Sequence, residues 1–536
     1  MFRKLSVLLI PILLFYSSGC TEKSTQRNQE SAVFADGGTV VIALEVEPES
    51  LNPLFYRSSY SGQLLTIMHD SMLEMGEDFT YQSNICDELI WSEDSLSVTV
   101  SLKEWLWSNG TIMTAEDIVS SCELYKNPEL ACPRLSDALR NIKSVVALDN
   151  QTVCYSFESV RSDMVSALGH FIFSPSDRAA IINDGRLVNT LTNESGIYVL
   201  SKWDHDSSLV LERNKNYSGK HSNLERVIFR IIPDETSRAI ALETGEVDVL
   251  NNIPPHIANR LSSVKEVVLH NSPGRLVGML TWNLENPVFK DPMVRKALSF
   301  AIDRERIVED FLYGFGSVGK GPIPPASWAH DAKILPDSYS PARSKQMLTQ
   351  AGWVDSNGDG VREKDGVDLE FEIITKKGDS VRENSLIMLR ENFCAIGAKV
   401  ECSVAEFSSM IEQVRSGNFD SYLRVYSSRM SVDPSSLYAS GSSSRFNYGN
   451  YSSDLVDALL RLALAETDRE KSVKLWHKFE FAVVTDPPAA FLYYPHTIVG
   501  VSERVQDVRP HVLSSYNNIR EWWIAKEDRK YFLKTD

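Results

Sequence analysis

Residues 226–250 are the stretch that most narrows the folds open to this chain, and they read RVIFRIIPDETSRAIALETGEVDVL. Residues 226–232 form a nearly continuous apolar, β-branched run, which predicts a buried strand. The next residues predict a helix that stops at Gly245, and EVDVL predicts a second strand. A strand, a helix and a strand within so short a stretch predict a βαβ unit and therefore a mixed α/β chain.

Other regions also favour a mixed α/β chain. Apolar and polar residues alternate over 96–102, which predicts a half-buried strand. Residues 291–314 are the clearest helical region, with Asp291 as the predicted N-cap, a proline in the first helical position, a predicted break near Asp303 and an end at Gly314. Near the C-terminus, residues 454–486 predict a pair of helices and residues 488–501 a buried strand.

The first twenty residues predict an export signal. Arg3 and Lys4 precede an apolar run over 5–16, which is shorter than the roughly 20 residues that a membrane-spanning helix needs. One interpretation is an ordinary signal peptide cut near Gly19. The other, which we favour, is a lipoprotein signal that ends at a lipidated Cys20, because SSGC resembles the lipobox apart from its first serine. Residues 1–20 are then the signal peptide.

The remainder of the chain predicts an exported protein on a tether. Residues 21–37 are polar with few apolar anchors, which is typical of a flexible linker. The net charge of −17 argues against nucleic acid or an anionic membrane as the main partner. No later stretch is long and apolar enough to cross a membrane. We therefore expect a periplasmic or cell-surface protein that contacts the bilayer only through Cys20.

The cysteines and histidines give no catalytic or metal-binding pattern. The six cysteines after Cys20 allow 15 complete pairings, and Cys122–Cys132 is the single pairing that their spacing suggests. No CxxC, HExxH or GxSxG motif occurs, and the ten histidines are scattered. The sequence therefore predicts no catalytic residues, no metal ligands and no enzyme.

A dinucleotide-binding motif and a calcium-binding loop are each matched only in part. GFGSVG at 314–319 satisfies GxGxxG, but it follows a predicted helix and enters a proline-rich stretch, whereas a dinucleotide fingerprint follows a strand. Residues 355–363 resemble a calcium loop, yet the twelfth position counted from Asp355 is Gly366 and not a glutamate. We therefore expect that the first motif binds no cofactor and that the second forms a solvated turn.

Seven stretches, taken in order, resemble the family 5 extracellular solute-binding proteins, the peptide and nickel receptors of ABC importers. The resemblance covers about 37–536. The stretches are EPESLNPLF (47–55), LKEWLWSNGTIMTAEDI (102–118), NESGIYVLSKWDHDSSLVLERNKNY (193–217), IPDETSRAIALETGEVDVL (232–250), NPVFKDPMVRKALSFAIDRERIV (286–308), GPIPPASW (321–328) and FNYGNYSSDLVDALL (446–460).

The resemblance implies an α/β, two-lobed periplasmic-binding-protein-like fold of type II, cluster C, with a ligand cleft between the lobes. Lobe 1 would comprise 38–58, 180–272 and 489–536, with an extra subdomain at 59–179, and lobe 2 would comprise 273–488. Crossings near 270–283 and 492–501 would act as hinges. The lobes would close on a buried ligand.

The implied function is the solute-binding component of an ABC importer, a monomer that delivers an oligopeptide-like solute to its permease. Two alternatives remain open. The protein presents its ligand to a sensor, or it binds a non-peptide anionic solute. Nickel binding through histidines is disfavoured because no histidine cluster lies in the segments that resemble the cleft.

The segment 419–434 departs from the family pattern YDLxLxGWxADYPDP, in which the tryptophan walls the cleft and the following acid binds the ligand's α-ammonium group. Counted from Asp420, Tyr426 replaces the tryptophan and Arg429 the acid. Counted from Pro434, serine and methionine replace them. Neither alignment supplies a carboxylate.

Two interpretations of this segment remain open. Asp433 takes over the amine, or Arg429 binds an anionic group, for which a guanidinium is suited. For each aromatic residue, ordinary core packing is the alternative to a binding role. The residues that the resemblance predicts to line the cleft are Tyr56, Arg57, Trp282, Asn283, Arg424, Tyr426, Arg429, Asp433, Tyr438, Asn447, Tyr493 and Tyr494.

Overall fold

The βαβ unit predicted at 226–250 is present in the computed structural model, which describes residues 36–185, 188–429, 432–441 and 446–530. Strand Arg226–Ile231, helix Glu235–Glu243 and strand Val249–Leu250 follow one another, and both strands pair in parallel with strand Thr39–Leu44, which lies between them. Asp234 caps the helix by accepting a hydrogen bond from the backbone N–H of Ser237. The predicted α/β class is therefore confirmed.

The described residues form many strands and helices, which we number in chain order. The strands are β1 Thr39–Leu44, β2 Leu73–Met75, β3 Tyr81–Ser83, β4 Cys86–Trp91, β5 Ser97–Leu102, β6 Ile142–Ala147, β7 Thr152–Phe157, β8 Tyr198–Asp204, β9 Ser208–Arg213, β10 Arg226–Ile231, β11 Val249–Leu250, β12 Val267–Pro273, β13 Leu276–Trp282, β14 Gly316–Val318, β15 Glu363–Lys364, β16 Val367–Asp368, β17 Glu370–Lys376, β18 Lys399–Ala405, β19 Ser421–Ser427, β20 Ala489–Ser502, β21 Val505–Gln506 and β22 Trp523–Ile524. The helices are α1 Ser59–Met68, α2 Ala115–Lys126, α3 Asp137–Arg140, α4 Pro175–Asp184, α5 Glu235–Glu243, α6 Pro255–Leu261, α7 Pro292–Phe300, α8 Arg304–Arg306, α9 Pro341–Gln350, α10 Ser380–Cys394, α11 Phe407–Arg415, α12 Ser435–Tyr438, α13 Asp454–Ala465 and α14 Arg469–Thr485.

The helical region predicted at 291–314 is broken near Asp303, as predicted, and its helices are shorter than the segment. Asp291 caps α7 by accepting from the backbone N–H of Met293, and Pro292 is its first residue. A second N-cap, Asp303, starts the short helix α8, and a π-helical turn over Ile307–Phe311 follows. The predicted helical pair (α13 and α14) and the predicted strands at 96–102 (β5) and 488–501 (β20) are confirmed.

Strand β20 organises the principal sheet, whose order is β18-β17-β19-β13-β20-β11-β1-β10-β9-β8. Its first residues, 489–495, pair with β13 and β14, and its later residues, 496–502, pair with β12 and β11. We call β8–β12 together with β1 the first half-sheet, and β13, β14 and β17–β19 the second half-sheet. The chain therefore crosses between the half-sheets along β20 and again from β12 to β13, where the resemblance predicted the crossings.

Each half-sheet has its own hydrophobic packing. The core of the first half-sheet, which includes Val40 and Phe229, continues into the small sheet β4-β5-β7-β6. The second half-sheet is covered on both faces, with Leu280 packed in the core that contains α7 and α10 and Met279 in the core that contains α13 and α14. The alternation of side chains along β13 explains why neighbouring residues enter different cores.

Glycines permit close packing where the strands cross. A Cβ on Gly274, between β12 and β13, would lie 2.6 Å from the carbonyl oxygen of Pro495. A Cβ on Gly319 would lie 2.6 Å from the carbonyl carbon of Leu492. The last glycine of GFGSVG therefore has a packing role against β20, in keeping with the expectation that this motif is not a dinucleotide fingerprint.

The suggested Cys122–Cys132 disulfide is wrong, because the two thiols have different neighbours. Cys122 Sγ lies 3.3 Å from His170 Nε2 and 3.6 Å from Tyr155 Oη, inside the core. Cys132 Sγ donates to the carbonyl of Leu54 at 3.2 Å. Spacing along the chain predicted proximity, whereas packing directs the two side chains to separate places.

The N-terminal predictions fall on residues outside the described ranges, namely the signal peptide at 1–20 with its lipidated Cys20 and positions 21–35 of the predicted linker. Among the residues that are described, no helix has the length and apolar character that crossing a bilayer demands.

Candidate ligand-binding site

Strand β19 carries two of the residues predicted to line the cleft, Arg424 and Tyr426, on one face of the second half-sheet. In the antiparallel register with β13, Tyr422 pairs with Thr281, Arg424 with Met279, and Tyr426 with Val277. Because side chains alternate along a strand, Tyr422, Arg424 and Tyr426 share a face. That face also carries Met279, whose core contains α13 and α14.

Arg424 lies in a small cavity on this face. The structure brings together here three of the predicted site residues, Arg424, Tyr438 and Asn447. The remaining lining residues are Met279, Thr281, Leu437, Phe446, Tyr448, Gly449, Pro488 and Ala489. Arg424 carries the one formal charge in this described lining, so the cavity favours an anionic or strongly accepting group.

Three buried polar atoms of the lining residues have no hydrogen-bond partner in the part of the chain that the structure describes. They are Nε of Arg424, Oγ1 of Thr281 and Oη of Tyr438. Burial raises the pKa of Tyr438, so its hydroxyl keeps its proton and is available as a donor. The guanidinium carbon of Arg424 lies 5.0 Å from the centre of the Tyr422 ring, which provides a flat aromatic support. Buried donors without partners are costly, which suits a site completed by a ligand.

Asn447 has a structural role beside its place in the cavity. Its Nδ2 donates to the carbonyl oxygens of Ala439 at 3.1 Å and Tyr451 at 2.8 Å, and its Oδ1 accepts from the Tyr451 N–H at 2.9 Å. The amide thereby holds residues 439 and 451 together at the edge of the cavity.

Arg429 and Asp433 lie elsewhere. Arg429 is exposed and follows Ser428, whose N–H donates to the carbonyl of Arg275 at 2.9 Å. Asp433 accepts from the backbone N–H of Ser435 at 3.0 Å, at the start of α12. The structure thus offers Arg424, rather than Arg429, as the arginine enclosed by aromatic side chains.

Four other predicted residues have contacts that account for them without a ligand. Trp282 is fully buried and stacks on Phe289 with ring centres 4.9 Å apart. Asn283 Nδ2 donates to the carbonyl of Phe419 at 2.8 Å. Tyr493 packs against Gly278, and Tyr494 Oη accepts from the N–H of Gly321 at 2.8 Å. Their predicted place in the cleft gains no support from these contacts.

Tyr56 and Arg57 lie between β1 and α1. The guanidinium carbon of Arg134 is 4.2 Å from the centre of the Tyr56 ring, and burial raises the pKa of Tyr56. Arg57 is exposed, and its backbone N–H donates to the carboxylate of Glu49. Neither residue borders the Arg424 cavity.

A second cavity, which sequence reasoning missed, opens at the carboxyl ends of β1 and β11. In open α/β sheets, ligands bind beyond the carboxyl ends of the strands. Tyr60 Oη donates to Glu45 at 2.8 Å, and Asn251 Nδ2 donates to Tyr516 Oη at 2.8 Å. The lining residues are Ala43, Leu44, Glu45, Tyr60, Gln63, Asn251, Asn252 and Tyr516. The sequence signal that could have indicated this cavity is the pair Asn251 and Asn252, directly after the predicted strand EVDVL.

The described residues offer no obvious place for a metal ion. Within the described ranges, no group of three or more His, Cys, Asp or Glu side chains is arranged to hold one. In the loop that resembles a calcium site, the Asp355 carboxylate accepts from the N–H groups of Gly358 at 2.7 Å and Gly360 at 3.0 Å. Its oxygens therefore shape the turn.

Comparison with known proteins identifies the class to which this fold and cavity belong. The family model of bacterial extracellular solute-binding proteins, family 5, middle region, matches residues 80–448. The chain belongs to this family. Its fold is the two-lobed α/β fold of periplasmic binding proteins, as the resemblance implied.

Individual relatives are similar over nearly the whole chain. The oligopeptide-binding protein AppA of Bacillus subtilis is 26% identical over 542 residues, covering 97% of this chain and 98% of that protein. Its structure in complex with a nonapeptide matches with a TM-score of 0.71 at 25% identity, over 92% of this chain and all of that one. The solute-binding protein CtaP of Listeria monocytogenes shares the fold, with a TM-score of 0.79 at 19% identity over 92% and 100% of the two chains.

A buried carboxyl group beside Tyr494 makes stability depend on pH. Glu480 of α14 is fully buried, its Oε2 accepts from the N–H of Asp331 at 2.6 Å, and burial raises its pKa to about 8. The unfolded chain releases this proton at a pH of about 4.3, so the folded state binds more protons in between. Stability from this group is therefore lost as pH rises from about 4.3 to about 8.

We expect Glu480→Gln, which cannot ionise, to remove this part of the pH dependence. Urea unfolding at pH 5.5 and pH 8.5 should show the variant gaining about 1–3 kcal/mol on the wild type at the higher pH. Exposed Glu470→Gln is the control and should show no such change. Equal pH dependence of Glu480→Gln and wild type would contradict a carboxyl group held protonated.

Proposed function

We propose that this protein is the extracytoplasmic solute-binding component of an ABC importer and captures an oligopeptide-like solute between two closing lobes. The observation that carries the proposal is the crossing of the chain between two half-sheets along β20 and from β12 to β13. Two separately packed bodies joined by a few crossing segments are suited to hinge closure. The similarity to a Bacillus subtilis protein whose structure holds a nonapeptide supports a peptide as the solute.

The lobe boundaries proposed from the resemblance fit the sheets. The small sheet β4-β5-β7-β6 lies wholly within 59–179, the proposed extra subdomain. Lobe 1, at 38–58, 180–272 and 489–536, contains the strands of the first half-sheet. Lobe 2, at 273–488, contains those of the second half-sheet, and β20, which pairs with both half-sheets, falls within the range of lobe 1. The hinge would then lie at Gly274 and Pro495, where the crossing segments touch.

For the ligand, we propose an acidic group bound at Arg424. The Arg424 guanidinium has a free donor and lies beside the hydroxyl of Tyr438, so together they suit a carboxylate. An oligopeptide provides that group at its C-terminus or on a side chain, and a non-peptide anion provides it directly. Arg429 remains a second candidate, because it stands where the family pattern has the amine-binding acid, and Asp433 remains a candidate for binding an amine.

The role of Arg424 is tested with the molecule that native mass spectrometry identifies on gently purified protein. We expect Arg424→Ala to weaken its binding by about 2–5 kcal/mol, because a partly buried charged partner is lost. Titration calorimetry measures the change. Arg429→Ala, an equal change at an exposed site, should alter binding by about 0–1 kcal/mol.

The two arginine variants separate the interpretations. If Arg429→Ala weakens binding and Arg424→Ala does not, the loop after β19 holds the anion instead. If the binding is unchanged in both variants, neither arginine meets a charged group of the solute, and the amine interpretation through Asp433 is favoured.

We also propose that the protein is an exported monomer, lipid-anchored through Cys20, that delivers its solute to a cognate permease and has no enzymatic activity. The lipobox-like SSGC supports the anchor. A protein exported without lipid would bind the same solute. The permease partnership is what the family implies for its members.

The anchor is tested by fractionation. We expect wild type to partition with membranes and Cys20→Ala to be soluble, because the lipid would be the chain's main hold on the bilayer. Cys86→Ala is the matched control and should partition like wild type. Equal partitioning of wild type and Cys20→Ala would remove the lipid anchor and leave the binding function standing.

A further inference from the structure

A side-chain hydrogen bond joins the proposed subdomain at 59–179 to proposed lobe 2 at 273–488. Ser162, in the loop after β7, donates from Oγ to the carbonyl oxygen of Leu464 at 2.6 Å. Ser162 belongs to the proposed subdomain at 59–179, and Leu464 lies in the last turn of α13, within proposed lobe 2. If the lobes move about the crossings, this bond has to form and break.

The acceptor is a group that needs an outside donor. The last four carbonyl oxygens of a helix have no partner inside the helix. Leu464 is the second-last residue of α13, which ends at Ala465. Ser162 therefore satisfies a carbonyl that the helix leaves open, at the end where the helix dipole is negative.

The donor loop is held in place before it meets α13. Ser159 Oγ donates to Asn141 Oδ1 at 2.9 Å, and Asn141 Nδ2 donates to the Ser159 carbonyl at 2.8 Å. Arg161 makes two hydrogen bonds of 2.9 Å to Asp163. A loop held in this way loses little conformational entropy when it contacts α13, which favours a contact that can form and break.

Opposite charges lie on either side of the same boundary. Arg469, the first residue of α14, lies close enough to Asp78 in the β2–β3 turn for their charges to interact. Arg161 is likewise within electrostatic range of Asp433. In both pairs one member belongs to 59–179 and the other to 273–488, so attraction draws the two parts together.

We propose that the Ser162 loop and the α13–α14 connection form a reversible clasp that holds the lobes closed, a mechanism that rests on the proposed function. The clasp consists of the Ser162–Leu464 hydrogen bond and the flanking pairs Asp78–Arg469 and Arg161–Asp433. The hydrogen bond is single and solvent-exposed, and the members of the two charge pairs attract each other without forming ion pairs, so each interaction is weak. Weak contacts suit a closed state that must reopen to release its solute.

The clasp is tested by disulfide trapping in the full chain without added solute. With Ser162→Cys and Leu464→Cys together, we expect mild oxidation to join positions 162 and 464 at least tenfold faster than positions 144 and 464 in Ser144→Cys with Leu464→Cys. Ser144 is exposed on β6 of the same small sheet. Peptide mass mapping distinguishes these cross-links from those of the native cysteines.

A charge change tests whether the flanking pairs hold the clasp closed. In the Ser162→Cys, Leu464→Cys protein, Arg469→Glu places an acid opposite Asp78 and should slow cross-linking several-fold. Added salt should reduce the difference in cross-linking rate between the proteins with and without this change. Arg461→Glu makes the same charge change on an exposed position of α13 and should have little effect. Cross-linking no faster at 162/464 than at 144/464 overturns the clasp, as does equal slowing by both charge changes.

The same proteins separate the clasp from the proposed function. Native mass spectrometry of wild type and of Arg469→Glu reports whether a solute co-purifies. A retained solute with no preferential cross-link contradicts the clasp alone. A fast cross-link with no bound solute under any growth condition supports the clasp and contradicts solute capture.

Discussion

The backbone pairing of β20 is the constraint on which the rest of the structure depends. One strand of 14 residues serves two half-sheets, pairing first with β13 and β14 and then with β12 and β11. Because backbone N–H and C=O groups buried in a sheet must be paired, neither half-sheet is complete without it. The strand therefore fixes where the two bodies join and leaves little freedom except bending at the junction. Gly274 and Pro495 meet there at a distance that excludes any larger side chain at position 274.

Much of this architecture was predictable because local sequence patterns determine it. The apolar run at 226–232, the caps Asp234 and Asp291, and the helical pair at 454–486 each follow from short-range chemistry that the tertiary structure preserves. The family resemblance then supplied what local patterns cannot, namely two lobes and the segments that cross between them, whereas the order of the strands came from the structure. The Cys122–Cys132 pairing failed because proximity in sequence does not determine which way two side chains point.

The binding residues were less predictable for the same reason. An aromatic residue in a strand faces either a core or a cavity, and hydrophobic periodicity does not distinguish the two. Tyr493 is enclosed by other apolar side chains, whereas Tyr438 lines a cavity and has a buried hydroxyl without a partner among the described residues. The cavity that contains Glu45 and Asn251 was not predicted from the sequence, because its lining comes from four separate segments of the chain. In a chain of net charge −17, the sequence pointed to Arg429 as the arginine of the site, whereas the structure places Arg424 among the aromatic side chains of the cavity.

Small-angle X-ray scattering measures whether the two bodies close on a solute. The molecule identified on the purified protein is removed and then added back at saturating concentration. We expect a smaller radius of gyration with the solute bound, because a ligand held between the lobes stabilises the closed arrangement through its contacts with both. A solute that binds tightly and leaves the scattering curve unchanged would contradict it.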